Sequence, residues 1–148
     1  MKKLLTVIAL SLLFPLLSSA QDQKLMEIAD RLGTDRIQAV VECSIVTQNG
    51  RFRIKAELLV QGDCYFAKSS GYSIYCNGST RWTVDEAHKE VYVERAYGLK
   101  ELSDFESAVE DIKIRKVEYL PLSDDMSPFS FNTENLGKSW IVTDLRQE

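Results

Sequence analysis

The residues of this 148-residue chain whose types could support chemistry are three cysteines, a single histidine and the adjacent carboxylates Asp85-Glu86 and Asp124-Asp125. His88 stands beside Lys89 in a predicted turn. With no cysteine or second histidine near it in sequence, neither a zinc site nor a histidine-based triad is supported. Both carboxylate pairs fall in turns, where acidic side chains commonly cap and solvate the backbone. A general acid would need one of them raised by an apolar pocket. Cys43 falls on the apolar face of a predicted strand, where a free thiol behaves as a small hydrophobe, and no basic neighbour activates it. These residues predict no enzymatic activity, no metal site and no cofactor.

The elements that must position these side chains follow from hydrophobic spacing. Leu25, Ile28, Ala29 and Leu32 recur at helical intervals behind a cap at Asp22, and Gly33 stops the run. From Ile37 the period becomes two. Ile37, Ala39, Val41, Cys43 and Ile45 share a face, the Asn49-Gly50 pair marks a tight turn, and Phe52, Ile54, Ala56, Leu58 and Val60 repeat the pattern. The alternating Arg51, Arg53 and Lys55 then form a solvated face of the same strand. Gly62 ends that strand, and Cys64 to Ala67 faces Tyr72 to Cys76 across the run Lys68 to Gly71.

A hairpin centred on Ser70 sets Cys64 directly opposite Cys76. Opposed cysteines come close enough to bond, so the spacing predicts a Cys64–Cys76 disulfide stabilising by about 2 to 3 kcal/mol. Beyond the Asn77-Gly78 turn, strands at Arg81 to Asp85 and Glu90 to Glu94 place Trp82, Val84, Val91 and Val93 on one face. Leu102, Phe105, Val109 and Ile112 predict a helix over Leu99 to Asp111, with Ser103 and Glu106 as a capping box. Strands are expected near Ile112 to Leu120, Pro128 to Asn132 and Trp140 to Leu145. The sum is a mainly β, α+β fold: a curled antiparallel sheet forming an incomplete β-barrel, with one or two helices against its apolar face.

Residues 1–20 read as a cleavable secretory signal. Lys2 and Lys3 precede an apolar run from Leu4 to Leu17, and Ser18, Ser19 and Ala20 offer the small residues a signal peptidase accepts. The run contains Pro15 and falls short of the ~20 residues of a membrane span. Gln21, rather than a lipid-bearing cysteine, follows the cut. The expected product is a single soluble periplasmic domain, residues 21–148, without a lipid anchor. The net charge of −4 becomes −6 once Lys2 and Lys3 are removed, and no cluster of cations suits a nucleic acid.

Thirteen positions from Phe52 to Trp140 are aromatic in the expected product, Tyr65, Phe66, Tyr75, Trp82, Phe129 and Phe131 among them. Each alone reads as core packing. Together they line more wall than one short helix covers, which leaves either a filled interior or a cavity for an apolar ligand.

The stretch from Gly62 to Glu94, with Tyr75-Cys76-Asn77-Gly78-Ser79-Thr80-Arg81-Trp82, Asp85 and Glu90-Val91-Tyr92-Val93, resembles a segment of the periplasmic outer-membrane lipoprotein carriers, the LolA-like family. The closing Trp140-Ile141-Val142-Thr143-Asp144-Leu145-Arg146 is similar to the ending of its Bacteroidetes-type branch. The order of elements agrees over most of the expected product. One departure is that Lys68 to Ser73 lacks the arginine with which such carriers latch their lid, Arg81 being the nearest substitute. The resemblance implies a monomeric half-barrel that shields the acyl chains of lipoproteins, or another lipid. An inner-membrane release complex and an outer-membrane acceptor would be its partners.

On that reading the cavity wall comprises Phe52, Ile54, Leu58, Val60, Phe66, Ile74, Trp82, Val84, Val91 and Val93, under a lid helix carrying Leu25, Ile28 and Leu32. Two alternatives compete with it. One is a non-enzymatic protein-interaction module on the same scaffold with a filled core; the other is a secreted enzyme with a loop carboxylate such as Asp85 or Asp125 in an apolar cleft.

Overall fold

A computed structural model of the chain describes residues 22–96 and 109–146. The expected signal segment and residues 99–108 of the expected second helix lie outside them. Helix α1 (Asp22–Arg31) forms as the apolar spacing requires, and Leu32 and Thr34 tighten its exit by donating to the carbonyls of Ala29 and Arg31. Strands β1 (Asp35–Thr47), β2 (Gly50–Gln61), β3 (Cys64–Ser69), β4 (Tyr72–Cys76), β5 (Thr80–Asp85) and β6 (Glu90–Arg95) run as an antiparallel meander. Strand β7 (Val109–Pro121) returns to pair with β1, and β8 (Ile141–Asp144) pairs with β6, giving one open sheet of eight strands in the order β7-β1-β2-β3-β4-β5-β6-β8. Among the described residues no helix is long and apolar enough to cross a membrane.

Several expectations are corrected. The sheet is mixed, because β8 runs parallel to β6. Residues 109–111, expected to end a helix, open β7, and Pro128 to Asn132, expected as a strand, holds a 3-10 turn (Ser127–Phe129) followed by irregular chain. Strand β7 carries two bulges against β1, with Asp111 and Lys116 in the left-handed region at φ 53° each. The first hairpin turns on Gln48-Asn49, one residue earlier than expected, with Gly50 already paired to Thr47.

The β3–β4 hairpin is also displaced by one. Its turn is the dipeptide Ser70-Gly71, with Gly71 at φ 77°, so the pairing is centred between these residues rather than on Ser70. Cys76 consequently faces Tyr65, not Cys64, and the expected disulfide is absent: all three cysteines are free thiols. A one-residue slip moves every side chain of a strand to the other face relative to its neighbour. At the β2–β3 turn Gly62 sits at φ 57° with open space where a Cβ would stand. Gly62→Ala is therefore expected to cost about 1 to 2 kcal/mol from the backbone alone, read as a lower urea midpoint at unchanged slope.

Directly opposed residues share a face, so the register divides the sheet into two sides. The helix face carries Ile37, Ala39, Val41, Cys43 and Ile45 of β1, Ala56, Leu58 and Val60 of β2, Tyr65 and Ala67 of β3 and Ile74 and Cys76 of β4, all buried in one cluster with Leu25 and Ile28 of α1. The opposite side carries a second cluster of Val84, Val91 and Val93, packed with Tyr75, Trp82, Phe131, Leu136 and Trp140. Its cover is the segment from Leu122 to Trp140, which crosses the sheet from the β7 edge to β8 and is called here the strap.

Candidate functional site

The apolar part of the helix face, with α1 laid across it, is the surface best suited to hold a ligand. Strands β1 and β2 build its floor because their alternation is strict and their pairing unbroken from Ile37↔Val60 to Thr47↔Gly50. Between helix and sheet runs a seam lined by Ile28, Leu32, Ile37, Ala39, Val41, Leu58, Val60 and Ile114, with an enclosed volume of about 10 Å³. That is room for about one water in a wholly apolar lining, which favours a dry gap. Ile45, Ala67 and Ile74 extend the buried floor beyond it, and Cys43 lies within it with its thiol pushed up to about 11 by burial.

The residues expected to form one wall are divided by the sheet. Ile54, Leu58, Val60 and Ile74 stand on the helix face. Phe52 shares that face at the hairpin end, where it is 49% exposed. Phe66, Trp82, Val84, Val91 and Val93 stand on the strap face. The division follows from the pairing: Leu58 opposes Ala67, Ala67 opposes Ile74 and Ile74 opposes Thr83, so Phe66 and Trp82 must point the other way. The lid residues are placed as expected, with Leu25 and Ile28 buried against the floor and Leu32 half-buried beside them.

Beyond Ile74 the helix face turns polar. Arg81 of β5 bonds Glu94 of β6 through Nη2 at 2.8 Å and Nε at 3.3 Å. Burial opposes the charge of Arg81, but Glu94 and the Tyr65 hydroxyl more than offset it and hold the guanidinium firmly ionised. The helix face is thus amphipathic: an apolar half under α1, then a row of polar groups on β5 and β6.

Asp85 departs from its expected solvated setting, being 1% exposed. Its Oδ1 accepts the His88 amide at 3.0 Å, and the His88 ring Nδ1 lies 2.8 Å from Oδ2. Burial alone would raise this carboxyl; hydrogen bonds from His88 and Tyr72 outweigh it and bring Asp85 below the usual carboxylate value. These hydrogen bonds tie the carboxylate to the residues that follow it and so lock the β5–β6 turn. The sign fixes a pH dependence. The contribution of Asp85 is complete above the ordinary carboxylate range, near pH ~4, and is lost as pH falls through its depressed folded value. Asp85→Asn is expected to lose stability at pH 7 and to show a smaller further loss on acidification, which urea titrations at several pH values would measure. Asp125, the other loop carboxylate considered, is exposed, and its side chain caps the Ser127 amide at 3.0 Å.

Sequence reasoning missed the strap as the cover of a second core. Arg36 Nη2 donates to the Asp125 carbonyl at 2.7 Å and Nε to Gln61 Oε1 at 2.7 Å, while Gln61 Nε2 donates to the Ser123 carbonyl at 2.9 Å. These bonds hold Phe129 under the Arg36 guanidinium, 5.2 Å from the ring centroid, and Phe129 is fully buried. The available signal was the density of apolar residues from Phe129 to Trp140, which lacks the period of a strand. Among the described residues no cluster of histidine, cysteine and carboxylate side chains could hold a metal ion. No protein-family model matches the chain, and none of the curated proteins matches it.

Proposed function

We propose that the chain is a periplasmic carrier that shelters an apolar chain, the acyl tail of a lipoprotein or of another lipid, between helix α1 and the sheet. On this reading the sheet is the wall of an incomplete barrel, its helix face is the concave side, and α1 is the lid. The observation that carries it is the dry apolar seam, bounded on one side by Ile28 of the short helix α1 and by Leu32 just beyond its end. At about 10 Å³ the seam admits no cargo until α1 lifts. Undocking Leu25, Ile28 and Leu32 costs roughly 4 to 8 kcal/mol at 1.5 to 3 kcal/mol for each fully buried side chain. An acyl chain of a dozen methylenes returns about 10 kcal/mol on burial. Exchange of helix for cargo is therefore close to balanced, as reversible loading and release require.

The test is native mass spectrometry of protein purified from its own periplasm, followed by titration with a fluorescent fatty-acyl probe. One acylated species per chain is expected, or uptake of one probe. Ala39→Phe, which fills the seam, should weaken probe binding at least tenfold while the circular dichroism spectrum stays native. A folded protein that carries nothing and ignores the probe would overturn the reading in favour of a filled-core interaction module. The small seam and the exposed Ile141 and Val142 on the β8 edge are what that alternative would use.

A further inference from the structure

We infer that the part of the strap face left bare by the strap is a docking surface for an anionic lipid bilayer, with the end of the β1–β2 hairpin entering the headgroup layer. The register lays the residues of this area out as rows across β7, β1, β2 and β3. Arg53 opposes Ser44, which opposes Glu110; Lys55 opposes Glu42, which opposes Lys113; Lys68 opposes Glu57, which opposes Val40 and then Arg115. Arg51 completes the area opposite Val46. Arg51, Arg53, Lys55, Lys68, Lys113 and Arg115 thus stand among Glu42, Glu57, Glu110 and Asp111, an excess of two positive charges on a chain whose net charge is −4.

Pairing neutralises only part of the surface. Arg51 is bound by Glu110, with Asp111 3.7 Å away, and Arg115 reaches Glu42 at 3.4 Å. Arg53, Lys55, Lys68 and Lys113 are exposed and have no carboxylate within ion-pair distance among the described residues. Alternating cations are also a device that blunts an open strand edge, and β2 is open from Gly50 to Ala56 because β3 meets it only from Glu57 onward. That role accounts for Arg53 and Lys55. It does not account for Lys113 and Lys68, which stand on other strands in neighbouring rows of the same face.

The hairpin end decides between an anionic bilayer and an acidic protein. Val46 on the strap face and Phe52 on the helix face flank the turn from its two sides, and they are 40% and 49% exposed. An apolar tip rimmed by cations matches the layered chemistry of a membrane surface, where the ring sits among headgroups and the cations meet phosphates. The surface is separate from the seam under α1, so the inference stands whether or not that seam takes a cargo.

The test is flotation of the purified protein with vesicles of phosphatidylcholine alone and of phosphatidylcholine with phosphatidylglycerol, at low and at physiological salt. Binding to the anionic vesicles only, weakened by salt, is expected. The double variant R53Q/K55Q should reduce the partition coefficient at least about tenfold, and Phe52→Ser several-fold. All three positions are exposed, and unchanged thermal melts will show that the fold is kept. No binding to anionic vesicles, equal binding to neutral ones, or undiminished binding of R53Q/K55Q would each overturn the inference. So would capture by a soluble acidic protein in place of the bilayer. Acyl-probe uptake by R53Q/K55Q should equal that of the native chain, which separates this outcome from the fate of the carrier reading.

Discussion

Phe129→Ala is expected to destabilise the protein by about 3 to 5 kcal/mol, read from urea denaturation. Phe129 is fully buried, and it is the first buried residue along the strap. Truncation removes the ring, leaves a cavity and strips the Arg36 guanidinium of the surface it covers. The loss should propagate along the strap, because Phe131 packs on Tyr75 at 5.2 Å and Leu136 and Trp140 cover Val84, Val91 and Val93. Amide exchange at Ile141 and Leu145, whose N–H groups bond the carbonyls of Lys89 and Val93, should therefore accelerate more than exchange in β1 and β2. A loss under 1 kcal/mol with unchanged exchange would mean that the strap is held by its polar ties alone.

The double variant Leu25→Ala, Ile28→Ala should produce the second large effect, and of a different kind. Each truncation in a well-supported core would cost about 2 to 5 kcal/mol. A helix of ten residues has little stability of its own, so once both anchors are gone it detaches and the total loss stops at its undocking cost, roughly 4 to 8 kcal/mol. The bared floor of Ile37, Ala39, Val41, Leu58 and Val60 should then take up an apolar dye that the native chain excludes. Additive losses without dye uptake would show that α1 cannot leave the sheet, and the proposed lid would fail with it.

Legibility in the sequence tracked the environment of each strand. In β1 and β2 one face is buried and the other wet, so strict alternation identified the helix-face residues, and Trp82, Val84, Val91 and Val93 were correctly grouped on one face of β5 and β6. Strands β3 and β4 lie where the two cores overlap. There Ser73, Ile74 and Cys76 are buried together on both sides of β4, and alternation no longer says which side is which. The slip at Ser70-Gly71 went undetected for that reason, and with it went both the disulfide and the idea of a continuous wall. The strap was illegible for another reason. Its contacts with Arg36 and Gln61 are set by the long return of β7 to the far side of β1, and local periodicity carries no trace of such a connection.

The path of the strap bears on when the chain can fold. Arg36 waits for a carbonyl 89 residues later, and β1, the first strand made, finds its outer neighbour only in β7. Loop closure over such separations delays completion of both cores until almost the whole chain is present. For the periplasmic carrier proposed above, passage through a translocation channel would benefit from that delay, since premature collapse would jam it. Moving the strap to the amino end by circular permutation should let the sheet side it covers assemble earlier, and slower export of the permuted chain would be the signature of this timing.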